Sequence, residues 1–392
     1  MPRPTLPDRL VQVSHAPRGG SGVVARQLAE AWAGAGRAVH MLTTGAPDPA
    51  DPPWMERVHG RMYPVFEQPP TTLAMASRMA SLIALPGSTL LHTHYAVPWA
   101  VSAMLALLGH ESPRAPGWVA SLHGTDVVQT GVWPDYRMPT RLALRRAHAI
   151  TAPSEDFARR VRASGLVDDD QPVHTMHNHV DTTVWCPCDP AERGAMRRML
   201  APRHADRPWV VHVSNLRPIK GTERLLPIMQ RLRARVPDAT LVLLGQGPEE
   251  AALHAQWESA GLGDHLLQPP MEADTIPRWL PLCDAMVMPS EYESFGLAAL
   301  EAMACAVPPV VSAVGGLVEL VDDPDLMAPP DDPVQGSADR LAALLTDGER
   351  ACAKAGAVRD RACRQFDLRV LLPRWEALYA RVLEATLARS GA

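Results

Sequence analysis

Short apolar runs recur along the whole chain, separated by longer stretches of helix-forming composition. In the first half they are Leu10–Ser14, Val39–Thr43, Thr89–His92, Trp118–Leu122, Ala149–Ala152 and Val173–Met176. In the second they are Trp209–Val213, Thr240–Leu244, Leu266–Gln268, Ala285–Met288 and Val310–Ser312. Buried runs alternating with helices are the pattern of parallel α/β sheets covered on both faces, so the expected class is α/β. Such sheets bind ligands beyond the carboxyl ends of their strands. Residues that carry chemistry should therefore follow the apolar runs directly.

A polar stretch from His179 to Pro190 lacks any apolar period and separates the halves. At 392 residues the chain exceeds what one core usually holds. Two doubly wound domains are expected, 1–182 and 183–369. The last segment, Arg369–Arg389, is amphipathic and free of glycine, and a helix over about 370–392 is expected to pack back on the first domain. No internal repeat is evident.

The densest chemistry lies in Ser290-Glu-Tyr-Glu-Ser-Phe-Gly-Leu-Ala-Ala-Leu-Glu301, which follows the apolar run ending at Pro289. Its pattern reads as strand, short loop, then a helix opening near Gly296. Unpaired N–H groups at a helix start favour an anion. Glu293 falls in the loop, and Glu301, about a turn and a half into the helix, sits among Leu300, Ala302 and Met303, a costly place for an unoccupied charge. Donors for a diphosphate beside acceptors for hydroxyls suit a nucleotide-sugar. The bland alternative is a capping acid and a solvated helix residue.

Other strand ends add to this. Gly19-Gly-Ser-Gly-Val-Val-Ala25 opens a helix after the first strand. Gly20, Gly22 and Ala25 satisfy a dinucleotide fingerprint, but the next strand ends Leu42-Thr-Thr-Gly45 with no acid to hold a ribose. An anion-binding loop and a turn without a ligand both stay open. His92-Thr-His-Tyr95 and His123-Gly-Thr-Asp126 end two further strands, with His123 placed to meet a sugar or an acceptor. Arg217 and Lys220, between Val213 and Gly221, suit a leaving diphosphate as one forked donor and one point charge. Gly245-Gln-Gly247 could approach a nucleotide closely.

Composition narrows the classes. The formal charge of −5 and the lack of a basic block argue against nucleic acid. No apolar run approaches membrane-span length, and Met-Pro-Arg-Pro-Thr-Leu-Pro lacks a signal-peptide core, so a cytoplasmic location is expected. The six cysteines are scattered and read as reduced thiols, mostly core fillers. The histidines at 92, 94, 174, 177 and 179 come from different strand ends without metal-ligand spacing. Asp168-Asp-Asp170 and Asp323-Pro-Asp325 read as surface turns, so no metal or other cofactor is expected. Assembly into a homo-oligomer stays open.

These segments, with Val65-Phe-Glu-Gln-Pro-Pro70 and His92-Thr-His-Tyr-Ala-Val-Pro98, resemble retaining glycosyltransferases of family 4 over nearly the full length. The resemblance implies the GT-B fold, two Rossmann-like domains facing across a cleft, the first for acceptor and the second for UDP-sugar. Within the family the likeness is to the bacillithiol-pathway branch. That implies transfer of GlcNAc from UDP-GlcNAc to L-malate with retention, giving GlcNAc-malate and UDP. It assigns His123, Lys220 and Glu293 to catalysis. It assigns Gly20, Arg217, Lys220, Glu293, Phe295, Gly296, Leu297 and Glu301 to the donor, with Glu301 on the ribose. Candidates for malate are Ser21, Gly20, Tyr95, Thr125 and Arg141. Three positions depart from relatives: Asn215 where many carry Arg, Ala306 where Gly is usual, and Gln68 where the branch tends towards Tyr. Another family-4 acceptor (an inositol phosphate or a lipid), a UDP-GlcNAc 2-epimerase and a non-catalytic nucleotide-sugar binder are the competing readings.

Overall fold

The computed structural model describes residues 5–15, 20–46, 48–63, 65, 67–109, 116–128, 133–272 and 274–390, without the side chains of 389 and 390. Gly19 and Phe66, in two of the segments above, lie outside the described residues. The chain divides into two compact units, Met1–Asn178 with Leu368–Ala392, and His179–Asp367. The first division falls four residues before the boundary read from the polar stretch. The reason is that Val180 already bridges to Asp367, and Thr182 donates its hydroxyl and N–H to the Asp367 carboxylate, inside the second unit.

The first unit is built on a seven-stranded parallel sheet. Its strands are β1 (Arg9–Val13), β2 (Ala38–Thr43), β3 (Met55–Arg57), β4 (Thr89–His94), β5 (Gly117–Ser121), β6 (Ala149–Ala152) and β7 (Val173–Thr175). They lie in the order β3-β2-β1-β4-β5-β6-β7. The winding reverses between β1 and β4, and there the connections leave in opposite directions and open a crevice at the carboxyl ends. β3 escaped the sequence reading because Met-Glu-Arg is short, polar and at a sheet edge. β4 runs two residues past its expected end, since Thr93 and His94 are as buried as the leucines before them.

The second unit holds β8 (Trp209–Val213), β9 (Thr240–Leu244), β10 (Leu266–Leu267), β11 (Ala285–Met288), β12 (Pro309–Ser312) and β13 (Met327–Ala328). Their order is β10-β9-β8-β11-β12-β13, parallel throughout. The reversal here lies between β8 and β11. Every residue of β8, β9, β11 and β12 is buried, as helices on both faces require. Fully burying a side chain of Val or Leu size contributes roughly 1.5–3 kcal/mol, so these strands anchor the loops that follow them.

The helix Leu368–Ser390 belongs to the first unit. Leu371, Trp375, Leu378, Tyr379 and Val382 form its buried stripe at helical spacing. Tyr379 Oη lies 2.8 Å from His92 Nδ1, and the Trp375 ring centroid lies 5.0 Å from that of His92. All six cysteines are free. Only Cys283 and Cys305 are buried, so the core-filling role expected of most of them belongs to two.

Candidate functional site

Each reversal point gathers candidates. In the second unit the loop after β8 packs on the loop after β11. Gly221 has φ 66°, and a Cβ there would come 2.1 Å from the Pro289 carbonyl oxygen, so only glycine permits this approach. Glu291 N–H donates to Ile219 O at 3.0 Å and Arg224 to Pro289 O at 3.1 Å, closing the two loops together. Lys220 Nζ is thereby brought 2.7 Å from Glu293 Oε1, to which the buried Ser290 hydroxyl also donates at 3.1 Å. The Glu293 carbonyl accepts from Gly316 N–H at 2.9 Å on the loop after β12. Glu293, only 8% exposed, is thus fixed from three loops.

The helix Leu297–Ala304 opens after Gly296, which takes φ 100°. The Phe295 side chain is buried against Phe366, ring centroids 5.7 Å apart, so its ring is closed to a ligand. Leu297 is half-buried at the first helical position. Glu301 keeps some exposure, yet burial of its carboxyl raises the pKa to about 8. None of the described residues pairs with that carboxyl. Arg217 is exposed, and its guanidinium likewise has no partner among the described residues.

In the first unit a second cluster surrounds the ends of β1, β4 and β5. Asp126, fully buried, accepts from the N–H groups of Ala96 (3.0 Å), His123 (3.1 Å) and Gly124 (2.8 Å), fastening the two loops after β4 and β5 to one carboxylate. Burial raises the Asp126 pKa to about 6, with the three backbone donors opposing. His94 Nε2 lies 2.9 Å from Gln12 Oε1, and its Nδ1 lies 3.1 Å from His123 Nε2. An amide oxygen only accepts, so His94 Nε2 carries the hydrogen, and one of the two rings donates between His94 Nδ1 and His123 Nε2. Burial, and then the nearby His15, lowers the His123 pKa to about 3. Where a neutral His123 carries its hydrogen on Nε2, its Nδ1 accepts and does not donate. The Tyr95 and Thr125 hydroxyls are hydrogen-bonded to each other. Gly20 and Ser21 open the helix Gly20–Gly34 after β1, beside β4.

Arg141 is not part of this cluster. It lies in the last turn of the helix Pro134–Leu144, which leads into the amino end of β6. A helix between parallel strands runs counter to them, so its carboxyl end lies at the sheet edge opposite the strand ends. There Arg141 is half exposed and 3.8 Å from Asp168, which Arg145 also holds at 2.7 Å. The Asp323-Pro-Asp325 turn is similarly tied to Lys354 and Arg350. Among the described residues no group of three His, Cys, Asp or Glu could hold a metal ion, and no helix is long and apolar enough to cross a membrane.

Several contributors escaped the sequence reading. Asp126 was visible only as the end of a motif, and Ser290 only as a loop serine. His15, whose ring stands edge-on to Tyr95 at 4.9 Å, follows β1 by two residues and had that position as its only signal.

Comparison with known proteins agrees with this layout. Residues 18–184 match the model described as Glycosyltransferase Family 4, and residues 201–358 that of Glycosyl transferases group 1. The chain is 30% identical to N-acetyl-alpha-D-glucosaminyl L-malate synthase of Bacillus anthracis, covering 93% of this chain and 94% of that protein. It is 31% identical to a GDP-mannose-dependent alpha-(1-6)-phosphatidylinositol monomannoside mannosyltransferase of Mycolicibacterium smegmatis, over 75% of this chain and 78% of that one. Sucrose-phosphate synthase from Thermosynechococcus elongatus shares the fold at a TM-score of 0.79 and 24% identity, covering 96% of this chain and all (100%) of the other.

Proposed function

The chain belongs to glycosyltransferase family 4, with the two parallel α/β domains of the GT-B fold, and we propose that it transfers GlcNAc from UDP-GlcNAc to L-malate with retention. The observation that carries this reading is the likeness to the malate synthase along nearly all of both chains, acceptor half included. The mannosyltransferase matches over 75% of the chain, which supports another acceptor less well.

In this assignment the second unit takes the donor. Glu301, whose carboxyl has no partner among the described residues, receives the ribose hydroxyls. Glu293, oriented by Lys220 and Ser290, receives hydroxyls of the sugar. Lys220 and Arg217, with the amides from Phe295 through Gly296 to Leu297, neutralise the departing diphosphate. The first unit is assigned the acceptor through Gly20, Ser21, Tyr95 and Thr125, and His123 one sugar hydroxyl. The bond from the anomeric carbon to the phosphate oxygen breaks, and the malate hydroxyl oxygen bonds to that carbon on the same face. Its proton passes to the leaving phosphate oxygen. No side chain becomes a nucleophile, so the protein contributes position and charge.

The test is UDP release and product analysis with a panel of nucleotide-sugars against L-malate, inositol phosphate and no acceptor, with and without EDTA. Product that requires UDP-GlcNAc and malate, and survives EDTA, supports the reading. Transfer only to inositol phosphate, or UDP release without any acceptor, replaces it with the transferase or epimerase alternative.

A further inference from the structure

The loop after β8, which carries Arg217 and Lys220, is held in shape by hydrogen bonds that start on a buried histidine. His212 is closed to solvent, and its Nδ1 lies 3.0 Å from the Val287 carbonyl oxygen on β11. A carbonyl only accepts, so Nδ1 carries the hydrogen. Burial lowers the pKa of this imidazole to about 4, opposed by the Val287 bond and aided by Lys220. The ring is therefore neutral near pH 7, and Nε2 is an acceptor. The Ser214 hydroxyl, 2.8 Å away, donates to it, and its oxygen in turn accepts from Leu216 N–H at 3.1 Å.

That last bond closes an unusual turn. Leu216 has φ 39°, in the left-handed region that a leucine seldom occupies, and its side chain is fully buried. Such strain persists only where surroundings over-determine it, and it concentrates at ligand clamps. Here the surroundings do so twice more. Glu249 N–H donates to Leu216 O at 3.1 Å. A Cβ on Gly245 would meet Ser214 O at 1.8 Å, so the loop after β9 closes on this turn. The glycine turn that the sequence suggested for close approach to a nucleotide is thus spent on approach to the protein's own backbone.

We propose that His212 and Ser214 are positioning residues for the donor diphosphate. They set the left-handed turn at Leu216 so that Arg217 and Lys220 stand in place before the nucleotide-sugar arrives. This rests on the assignment of those two cations to the diphosphate. In this role both act through the turn and not as ligand contacts. The warrant is preorganisation: a loop that must be ordered on binding loses affinity for the group it grips.

The experiment uses the full chain with UDP as the probe. Ser214→Ala should weaken UDP, measured by titration calorimetry, about tenfold, the equivalent of about 1.4 kcal/mol. It should raise KM for the nucleotide-sugar while leaving KM for the acceptor within about twofold of wild type. Ser214→Thr, which restores a hydroxyl, should recover most of the affinity. His212→Asn keeps an N–H for Val287 but has no atom at the Nε2 position to accept from Ser214, and should repeat the selective loss. A folded Ser214→Ala or His212→Asn protein with lowered Tm but wild-type UDP affinity would overturn the proposal. A wild-type chain that does not bind UDP would overturn the donor assignment itself, and this inference with it.

Discussion

Lys220 Nζ stands 2.7 Å from Glu293 Oε1, although 73 residues separate them. The contact exists because β8 and β11 are neighbours at the reversal of the second sheet, and their following loops share a backbone hydrogen bond. The pair is asymmetric. The glutamate side chain is 10% exposed and the lysine 24%, so the carboxylate depends on its partners while the ammonium can still reach a ligand.

Substitutions at this pair should therefore separate by kind. Glu293→Gln keeps the shape and a hydrogen-bonding oxygen; it should lower turnover about a hundredfold with Tm within a few degrees of wild type. Lys220→Met strands a buried carboxylate, and should cost about 3 kcal/mol of stability as well as activity. Steady-state kinetics and calorimetric melting decide both. Near-normal turnover in Glu293→Gln would remove that residue from the donor site.

Glu301 predicts a pH dependence of definite sign. Its folded pKa of about 8 lies above the ordinary 4.5, so between these values the native state keeps a proton that the unfolded chain has lost. Stability contributed by the neutral carboxyl is complete below pH 4.5, falls as pH rises, and is lost beyond about 8. Glu301→Gln, which stays neutral, should raise Tm relative to wild type by roughly 3–6 °C more at pH 8.5 than at pH 5. An equal difference at both pH values would show that the carboxyl is not buried as described. UDP affinity should fall in the same variant above pH 8, where the wild-type carboxyl is ionised, because the amide offers one acceptor oxygen to the ribose in place of two.

Arg141→Ala should leave the malate KM within about twofold of wild type and Tm within about 2 °C, since an exposed pair with Asp168 contributes little. A rise in malate KM with an unchanged UDP-GlcNAc KM would restore Arg141 to the acceptor site.

Ala306→Gly should stabilise the protein. The helix Leu297–Ala304 ends with Val307 N–H on Ala302 O at 2.9 Å and Ala306 N–H on Met303 O at 3.0 Å, which places Ala306 at φ 58°. That is the left-handed closing position glycine prefers. Relief of the Cβ conflict should give about 1 kcal/mol, read as a Tm rise of roughly 2–4 °C, with activity unchanged. A lower Tm would mean that the alanine methyl packs better than its backbone strains.

The strands of both sheets were legible because a strand covered on both faces must be apolar along its length. The exceptions, Met55–Arg57 and Met327–Ala328, are sheet-edge strands two or three residues long, too short to carry a pattern. The loops after β8 and β11 were legible for a related reason: glycine and charge directly after a buried strand are expensive unless the position requires them. The helix opening at Leu297 and the isolated carboxyl of Glu301 followed from the same argument.

What sequence could not supply was partnership. Arg141 has the charge a dicarboxylate needs, and only the direction of its helix put it at the wrong edge of the sheet. Asp126 and His212 look like ordinary strand-end residues until the fold sets three N–H groups around one and a carbonyl beside the other. Local pattern determined which segments are buried and where charge is tolerated, because burial and backbone conformation are costs each residue meets in place. Tertiary structure decided which charges and hydrogen-bonding groups face one another, because those energies depend on distances between residues far apart in the chain.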